Sequence, residues 1–275
     1  MRLARYAVPA AFAALSAACA LNTQQELNVG QQYASELARQ LPIVHDAAIQ
    51  ADLDAIAARL TPFSHRPEIR YQFFLVNSSV VNAFAVPGGY VYVTRGVVER
   101  ATSMDQLAGV LGHEMGHVEL RHSAKQIGRA QAAQGVLGVA SVLLGDRGAG
   151  GRAATTGATV FSQLVLAKYS RDQETEADHE SIVFTTAARI NPMGMVDFFR
   201  ILRQVEGTEP DAIAEFFASH PLTEDRITDV STRIRQNPLA MVQVQSGVTD
   251  APEFGRLKAA VHRLPAPPQA RPSGK

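Results

Sequence analysis

Five residues, His113-Glu114-Met115-Gly116-His117, constrain this chain more than any other feature. Two histidines four positions apart share a face only on an α-helix, where side chains at i and i+4 are neighbours. Both imidazoles can then reach one Zn2+ at about 2.0–2.1 Å. Glu114, beside the first histidine, can reach a water at that metal without replacing a ligand. The sequence supplies the helix: Ser103 and Gln106 form an S-x-x-Q capping pattern, and the run extends to about Gly128. Gly112 and Gly116 each cost a helix about 1 kcal/mol against alanine. They make sense where another element or a substrate approaches closely.

A catalytic zinc needs a third protein ligand and an open fourth position. The single cysteine, Cys19, excludes a thiolate site and any intramolecular disulfide, so the remaining ligand must be His, Asp or Glu. The extended H-E-x-x-H-x-x-G-x-x-H pattern fails, with Leu120 in the place of its glycine and Ser123 in that of its histidine. On one continuous helix His122 falls on a different face from His113 and His117. A second polar helix, from about Arg171 to Arg189, carries S-R-D-Q-E-T-E-A-D (170–178). Its Glu174 and Asp178 are again i and i+4. Glu174 could ligate the metal while Asp178 accepts a hydrogen bond from the far nitrogen of a ligating histidine. Glu176 points elsewhere, toward solvent. Alone, this segment reads equally as an acidic surface helix.

The remainder of the chain supports one mainly helical α+β domain. Residues 24–60 have helical periodicity, closed by Pro62. Residues 69–76, 80–86 and 90–94 read as strands, the last two joined at Pro87-Gly88-Gly89. Further helices are expected over 192–206, 209–218 and 222–236. Residues 145–157 form a glycine-rich stretch, read as either a gate over the cleft or a plain linker. From Pro252 the chain turns rich in Pro, Ala and Arg, as a disordered tail would be. Residues 1–18 carry two arginines and then an apolar run too short to span a bilayer, the pattern of a secretory signal. Cys19 behind it resembles the acylated cysteine of a bacterial lipoprotein, although Ser16 stands where a leucine is usual. The expected division is a signal at 1–18, a metallopeptidase domain at 19–250 and a tail at 251–275. Lys plus Arg and Asp plus Glu are both 26, a balance that argues against nucleic acid as a partner.

Taken together, H-E-M-G-H-V-E-L-R-H (113–122), S-R-x-x-E-x-E-A-D (170–178), N-A-F-A-V-P-G-G-Y-V-Y-V-T-R-G (82–96) and S-H-P-L-T-E-D-R (219–226) resemble the zinc metallopeptidases of family 48. That family includes the CaaX prenyl, HtpX-like and BepA-like proteases. The resemblance runs from about residue 70 to 235 and fits the periplasmic lipoprotein branch. It implies a zincin-type domain with a small antiparallel sheet beside the active-site helix. It further implies one Zn2+ held by His113, His117 and Glu174, with Glu114 as catalytic base and Asp178 behind the ligands. His220 and Arg226 become candidate donors to the oxyanion, with an alternative role for His220 in occupying the metal's open position. The strand at Asn82, Ala83 and Phe84 would pair with an extended substrate. The expected activity is hydrolysis of unfolded or misfolded envelope proteins by an enzyme lipid-anchored to the outer membrane from the periplasmic side. Outer-membrane assembly machinery is a candidate partner. A zinc-stabilised chaperone or assembly factor with little turnover is the alternative.

Overall fold

The computed structural model describes residues 21–143, 169–221 and 224–267. The leader, Cys19, the glycine-rich stretch 145–157 and the last eight residues lie outside the described residues. The periodic region 24–60 forms two helices, α1 (Thr23–Gln40) and α2 (Ala47–Ala57). Asn22 and Gln25 close a reciprocal capping box on α1, each side chain bonding the other's backbone N–H at 2.8–2.9 Å. Pro42 forces the break, because the residue before a proline is pushed out of the helical region; Leu41 has ψ 145°. Asp46 then caps α2 by accepting from the N–H groups of Ala48 and Ile49.

Three strands follow: β1 (Gln72–Val76), β2 (Ala83–Val86) and β3 (Tyr90–Thr94). The sheet is mixed, with order β1-β3-β2, and this corrects the expected antiparallel sheet. β2 and β3 form the anticipated hairpin, turning at Gly88 and Gly89 with φ of 84° and 90°, a conformation that favours glycine. β1, however, pairs parallel to β3 from Gln72↔Tyr90 to Val76↔Thr94. The chain after β1 crosses the end of the sheet, where the Gly96 N–H donates to Ser78 O, and β3 enters between the other two strands. That pairing is non-local, so alternation within each strand carries no trace of it.

A short helix, α3 (Arg95–Arg100), leads to α4 (Met104–Glu119), which holds the H-E-x-x-H residues. Every residue of α4 from Met104 to Val118 is buried, as befits a central helix packed on all sides. The expected start is right, but the cap differs. Gln106 bonds the backbone N–H and hydroxyl of Thr102, while Ser103 Oγ turns to Asp105. The expected end at Gly128 is wrong: the helix stops at Leu120, Arg121 adopts φ 58°, and α5 (His122–Leu143) starts in a new direction.

Against α4 packs α6 (Arg171–Ala187), closely enough that the glycines of α4 become necessary. A Cβ on Gly116 would lie 2.8 Å from Glu180 Cβ and 3.0 Å from Ala177 O; one on Gly112 would lie 3.2 Å from Ser181 Oγ. Ser181 Oγ also donates to Gly109 O at 2.8 Å. Gly116→Ala therefore adds about 1 kcal/mol of helix propensity yet overpacks the helix pair, a cost of about 1–3 kcal/mol. The variant should unfold at lower temperature in a thermal melt; a melting point equal to or above wild type would refute the close-packing argument.

Helices α7 (Met193–Glu206), α8 (Pro210–Ser219), α9 (Glu224–Gln236) and α10 (Pro238–Ser246) complete the helical layer, the first three close to expectation. The tail expected from Pro252 begins too early. Residues Pro252–His262 form α11, with Pro252 at the first helical turn and Phe254, Leu257 and Val261 buried in the main core beside α2. Composition misled here because the prolines that follow, from Pro265 on, were averaged with an amphipathic helix. Among the described residues no helix is long and apolar enough to cross a membrane.

Candidate active site

One turn apart on α4, His113 and His117 bring their Nε2 atoms to 3.1 Å. A second capping box, between Ser170 and Gln173, starts α6 so that Glu174 falls in its first turn and Asp178 one turn later. The Glu174 carboxylate stands 3.5 Å from the Nε2 of each histidine. Four ligands at about 2.0–2.1 Å in a tetrahedron are separated by about 3.3–3.4 Å, so these 3.1–3.5 Å spacings suit a single small ion. Behind them, Asp178 Oδ1 lies 2.9 Å from His113 Nδ1, which leaves Nε2 for the metal.

All of these groups are buried: Glu114, Asp178 and His220 at 0%, His117 and Glu174 at 1% exposure. Burial opposes ionisation of Glu174, yet His220, His113 and His117 around it hold its carboxyl well below the usual range. Burial first, and then the Glu174 carboxylate, push the Glu114 carboxyl up against the opposing pull of His220 and His113. A buried carboxylate whose proton affinity is raised in this way is suited to taking a proton. Desolvation likewise drives His117 well below the usual imidazole value, favouring the neutral form that a metal requires.

His220 caps the C-terminus of α8 and reaches into the same cluster. Its Nδ1 lies 3.4 Å from His113 Nε2 and 3.1 Å from Glu174 Oε1, and its Nε2 lies 3.6 Å from Glu114 Oε1. One ligand atom from each of His113, His117, Glu174 and His220 falls within 4.8 Å of all the others. Arg226, on α9, donates from Nε and Nη2 to both oxygens of Asp178, at 2.9 and 2.7 Å. Its Nη1 lies 2.7 Å from Glu174 Oε2 and donates to Pro221 O at 3.0 Å. The structure thus places this guanidinium on the carboxylates behind and beside the ligands.

β2 borders α4 as an edge strand of the sheet. The Asn82 N–H donates to Thr94 Oγ1, and the Asn82 carbonyl accepts from the Thr94 hydroxyl and N–H, while Asn82 Oδ1 is buried without a partner. Ala83 faces the core shared with α4, whereas the Phe84 ring stacks on Tyr92 at 5.0 Å on the opposite face. Three residues near the metal cluster were not anticipated from the sequence. His122 lies against His117, with the two Nδ1 atoms 2.8 Å apart, and Glu176 Oε2 is 3.0 Å from His122 Nε2. The expectation that His122 turns away rests on one unbroken helix, which the αL residue Arg121 breaks; Glu176 is 56% exposed, as expected, and still reaches His122 from the solvent side. Tyr169 stacks on the His117 ring at 3.8 Å, and its hydroxyl bonds Ser123 Oγ at 2.8 Å. No spacing rule connects Tyr169 to the motif.

Two histidines and a glutamate on packed helices, with a further carboxylate beside the first histidine, form a buried donor set of the H-E-x-x-H type that could hold a metal ion. The chain belongs to peptidase family M48, whose model matches residues 47–234. It is 32% identical over 226 residues to a putative beta-barrel assembly-enhancing protease of Vibrio cholerae, covering 79% of this chain and 46% of that protein. Identity to the beta-barrel assembly-enhancing protease of Escherichia coli is 28% over 234 residues, 83% of this chain and 47% of the relative. The metalloprotease YcaL of Escherichia coli is 32% identical over 177 residues, covering 60% of this chain and 62% of its own length. The chain therefore spans about half the length of the first two relatives.

Proposed function

We propose that this protein is a zinc-dependent endopeptidase that hydrolyses unfolded or misfolded proteins of the bacterial cell envelope. The observation that carries this reading is the near-tetrahedral spacing of His113, His117 and Glu174 beside a buried Glu114, whose carboxyl is pushed up by burial. Nitrogen and carboxylate donors in a four-cornered set suit Zn2+. When bound, one zinc per chain would polarise the scissile carbonyl and acidify an attacking water. Glu114 takes the proton of that water and returns it to the leaving amine. Asp178 holds His113 by Nδ1, and Arg226 holds Asp178 and Glu174 in place. That work of positioning accounts for Arg226 better than oxyanion donation does. Of the expected substrate strand Asn82, Ala83 and Phe84, Asn82 has its N–H and carbonyl engaged by Thr94; the outer edge of β2 beyond it is the part we assign to an extended substrate strand, a mode that selects unfolded segments.

His220 fills the fourth corner of the donor set, so we read the described state as a closed one from which His220 must move to admit substrate. Freed from that corner, its imidazole is available to donate to the oxyanion. Full-length protein loaded with zinc should cleave casein and lose that activity to a chelator; a several-fold gain in turnover in His220→Ala would assign His220 to closing the site, and a loss would assign it to the oxyanion. Casein left intact by zinc-loaded wild type and by His220→Ala alike would overturn the endopeptidase reading in favour of a zinc-stabilised chaperone or assembly factor.

The leader followed by Cys19, together with relatives named for β-barrel assembly, supports a periplasmic site of action and an outer-membrane lipid anchor. The outer-membrane assembly machinery is the corresponding partner. Cys19→Ser should release the protein from the membrane fraction; continued sedimentation with membranes would exclude the anchor.

A further inference from the structure

We propose that His122 and Glu176 form a hydrogen-bond relay that fixes the His117 tautomer and aim, making both of them positioning residues for the metal. The inference rests on the reading of His113, His117 and Glu174 as zinc ligands. His117 Nε2 faces His113 Nε2 and Glu174, while its Nδ1 points the other way, to His122 Nδ1 at 2.8 Å. His122 in turn reaches Glu176 Oε2 through Nε2 at 3.0 Å.

Only one arrangement of protons on two neutral imidazoles satisfies both contacts. An ionised carboxylate can only accept, so His122 Nε2 carries the proton and donates to Glu176. The bare Nδ1 of His122 must then accept, and His117 Nδ1–H donates to it. His117 Nε2 is left with a free lone pair directed at Glu174 and His113. Asp178 Oδ1 stands 2.9 Å from His113 Nδ1, a position from which a carboxylate favours the same tautomer of His113. Both ligating histidines thus have their outer nitrogen tied to a carboxylate, His113 directly and His117 through a second imidazole.

Backbone geometry independent of these contacts supports the assignment. His122 would turn away from His117 on a continuous helix; the left-handed Arg121, at φ 58°, swings it back. Arg121 is held there by its own side chain, with Nε donating to Glu26 Oε2 at 2.8 Å and the guanidinium bonding Leu21 O. Glu26 is buried in α1 and is clamped from the other side by Arg66, whose Nη1 and Nη2 donate to it at 2.8 and 2.9 Å. Arg66 Nη1 also donates to Val118 O, near the end of α4. The first helix of the domain therefore braces the break that delivers His122 to the metal ligand.

The test measures zinc affinity of the full-length chain by chelator competition, together with imidazole 15N spectra of the metal-free protein. His122→Phe should weaken zinc binding about 10–100-fold and convert His117 to a tautomer mixture. His122→Asn, which puts a carbonyl oxygen near the former Nδ1, should restore most of the affinity. Glu176 is 56% exposed, so Glu176→Ala preserves the fold and decides the matter should His122→Phe misfold. It should shift both readouts in the same direction, by less. A folded His122→Phe with wild-type affinity, equal losses in Phe and Asn, or an unchanged His117 spectrum in Glu176→Ala would each overturn the relay. Failure of wild type to bind one zinc would instead refute the ligand assignment, and the His117 spectra would still decide the relay.

Discussion

Glu114→Gln is expected to bind zinc as wild type does and to lose cleavage of unfolded casein by about 10²–10⁴-fold, the usual contribution of a general base. Glutamine keeps the size of the side chain and removes the basic lone pair, so the change isolates proton transfer. The fold should tolerate it. Burial raises the free energy of the charged form and pushes the carboxyl above its usual range, while His220 and His113 pull the other way. These effects oppose each other, so the melting temperature of Glu114→Gln should stay close to that of wild type. This combination separates a catalytic group from a structural one. Equal cleavage by the two proteins would exclude Glu114 as the base, and loss of zinc in the variant would place the residue among the ligands.

Arg226→Ala is expected to have the largest effect on stability. Its guanidinium holds both oxygens of Asp178 and one of Glu174, with the arginine 7% exposed and both acids essentially inaccessible. Truncation leaves two carboxylates buried without their counter-ion, and breaking such a pair costs about 3–5 kcal/mol. For a domain of this size that corresponds to a fall of roughly 6–20 °C in melting temperature. The loss should shrink when zinc is added, because the cation takes over part of the compensation for Glu174. Acid should narrow the gap as well. Arg226 and His113 hold the Asp178 carboxyl below its usual value, so its pairing stabilises the protein above the unfolded-state pKa. That stabilisation is lost as pH falls through the depressed folded value. Wild type and variant should therefore differ in melting temperature near neutrality and converge toward low pH. A melting temperature within a degree of wild type at neutral pH would refute the role assigned to Arg226.

Much of the candidate site is legible because its residues come in helical pairs. His113 with His117, and Glu174 with Asp178, are each i and i+4, and both helices carry a readable start. Periodicity then determines that each pair shares a face, whatever the two helices do relative to each other. The hairpin at Pro87-Gly88-Gly89 was legible for the same reason: its positive φ angles demand glycine locally. What failed were relations between distant segments. The parallel pairing of β1 with β3 depends on where the intervening chain crosses. Arg226 sits 52 and 48 positions from Glu174 and Asp178, and no periodicity reports a contact across such separations. His122 failed differently, since a left-handed arginine, stabilised by Glu26 from the first helix, broke the periodicity on which the reading depended.

The sequence by itself determined the chemistry available: two imidazoles and a carboxylate in register on two helices, a second carboxylate beside the first histidine, and a single cysteine far away in the sequence. Tertiary structure alone decided how those groups are completed. Packing of α6 onto the glycines of α4 sets the spacing of His113 and His117 from Glu174. The return of α8 and α9 brings His220 to the fourth corner and Arg226 behind the acids. The break at Arg121 turns His122 onto His117. Local patterns fix which residues share one face of one element, because that depends on backbone geometry within a few residues. Which face meets which depends on burial and charge pairing summed over the whole chain.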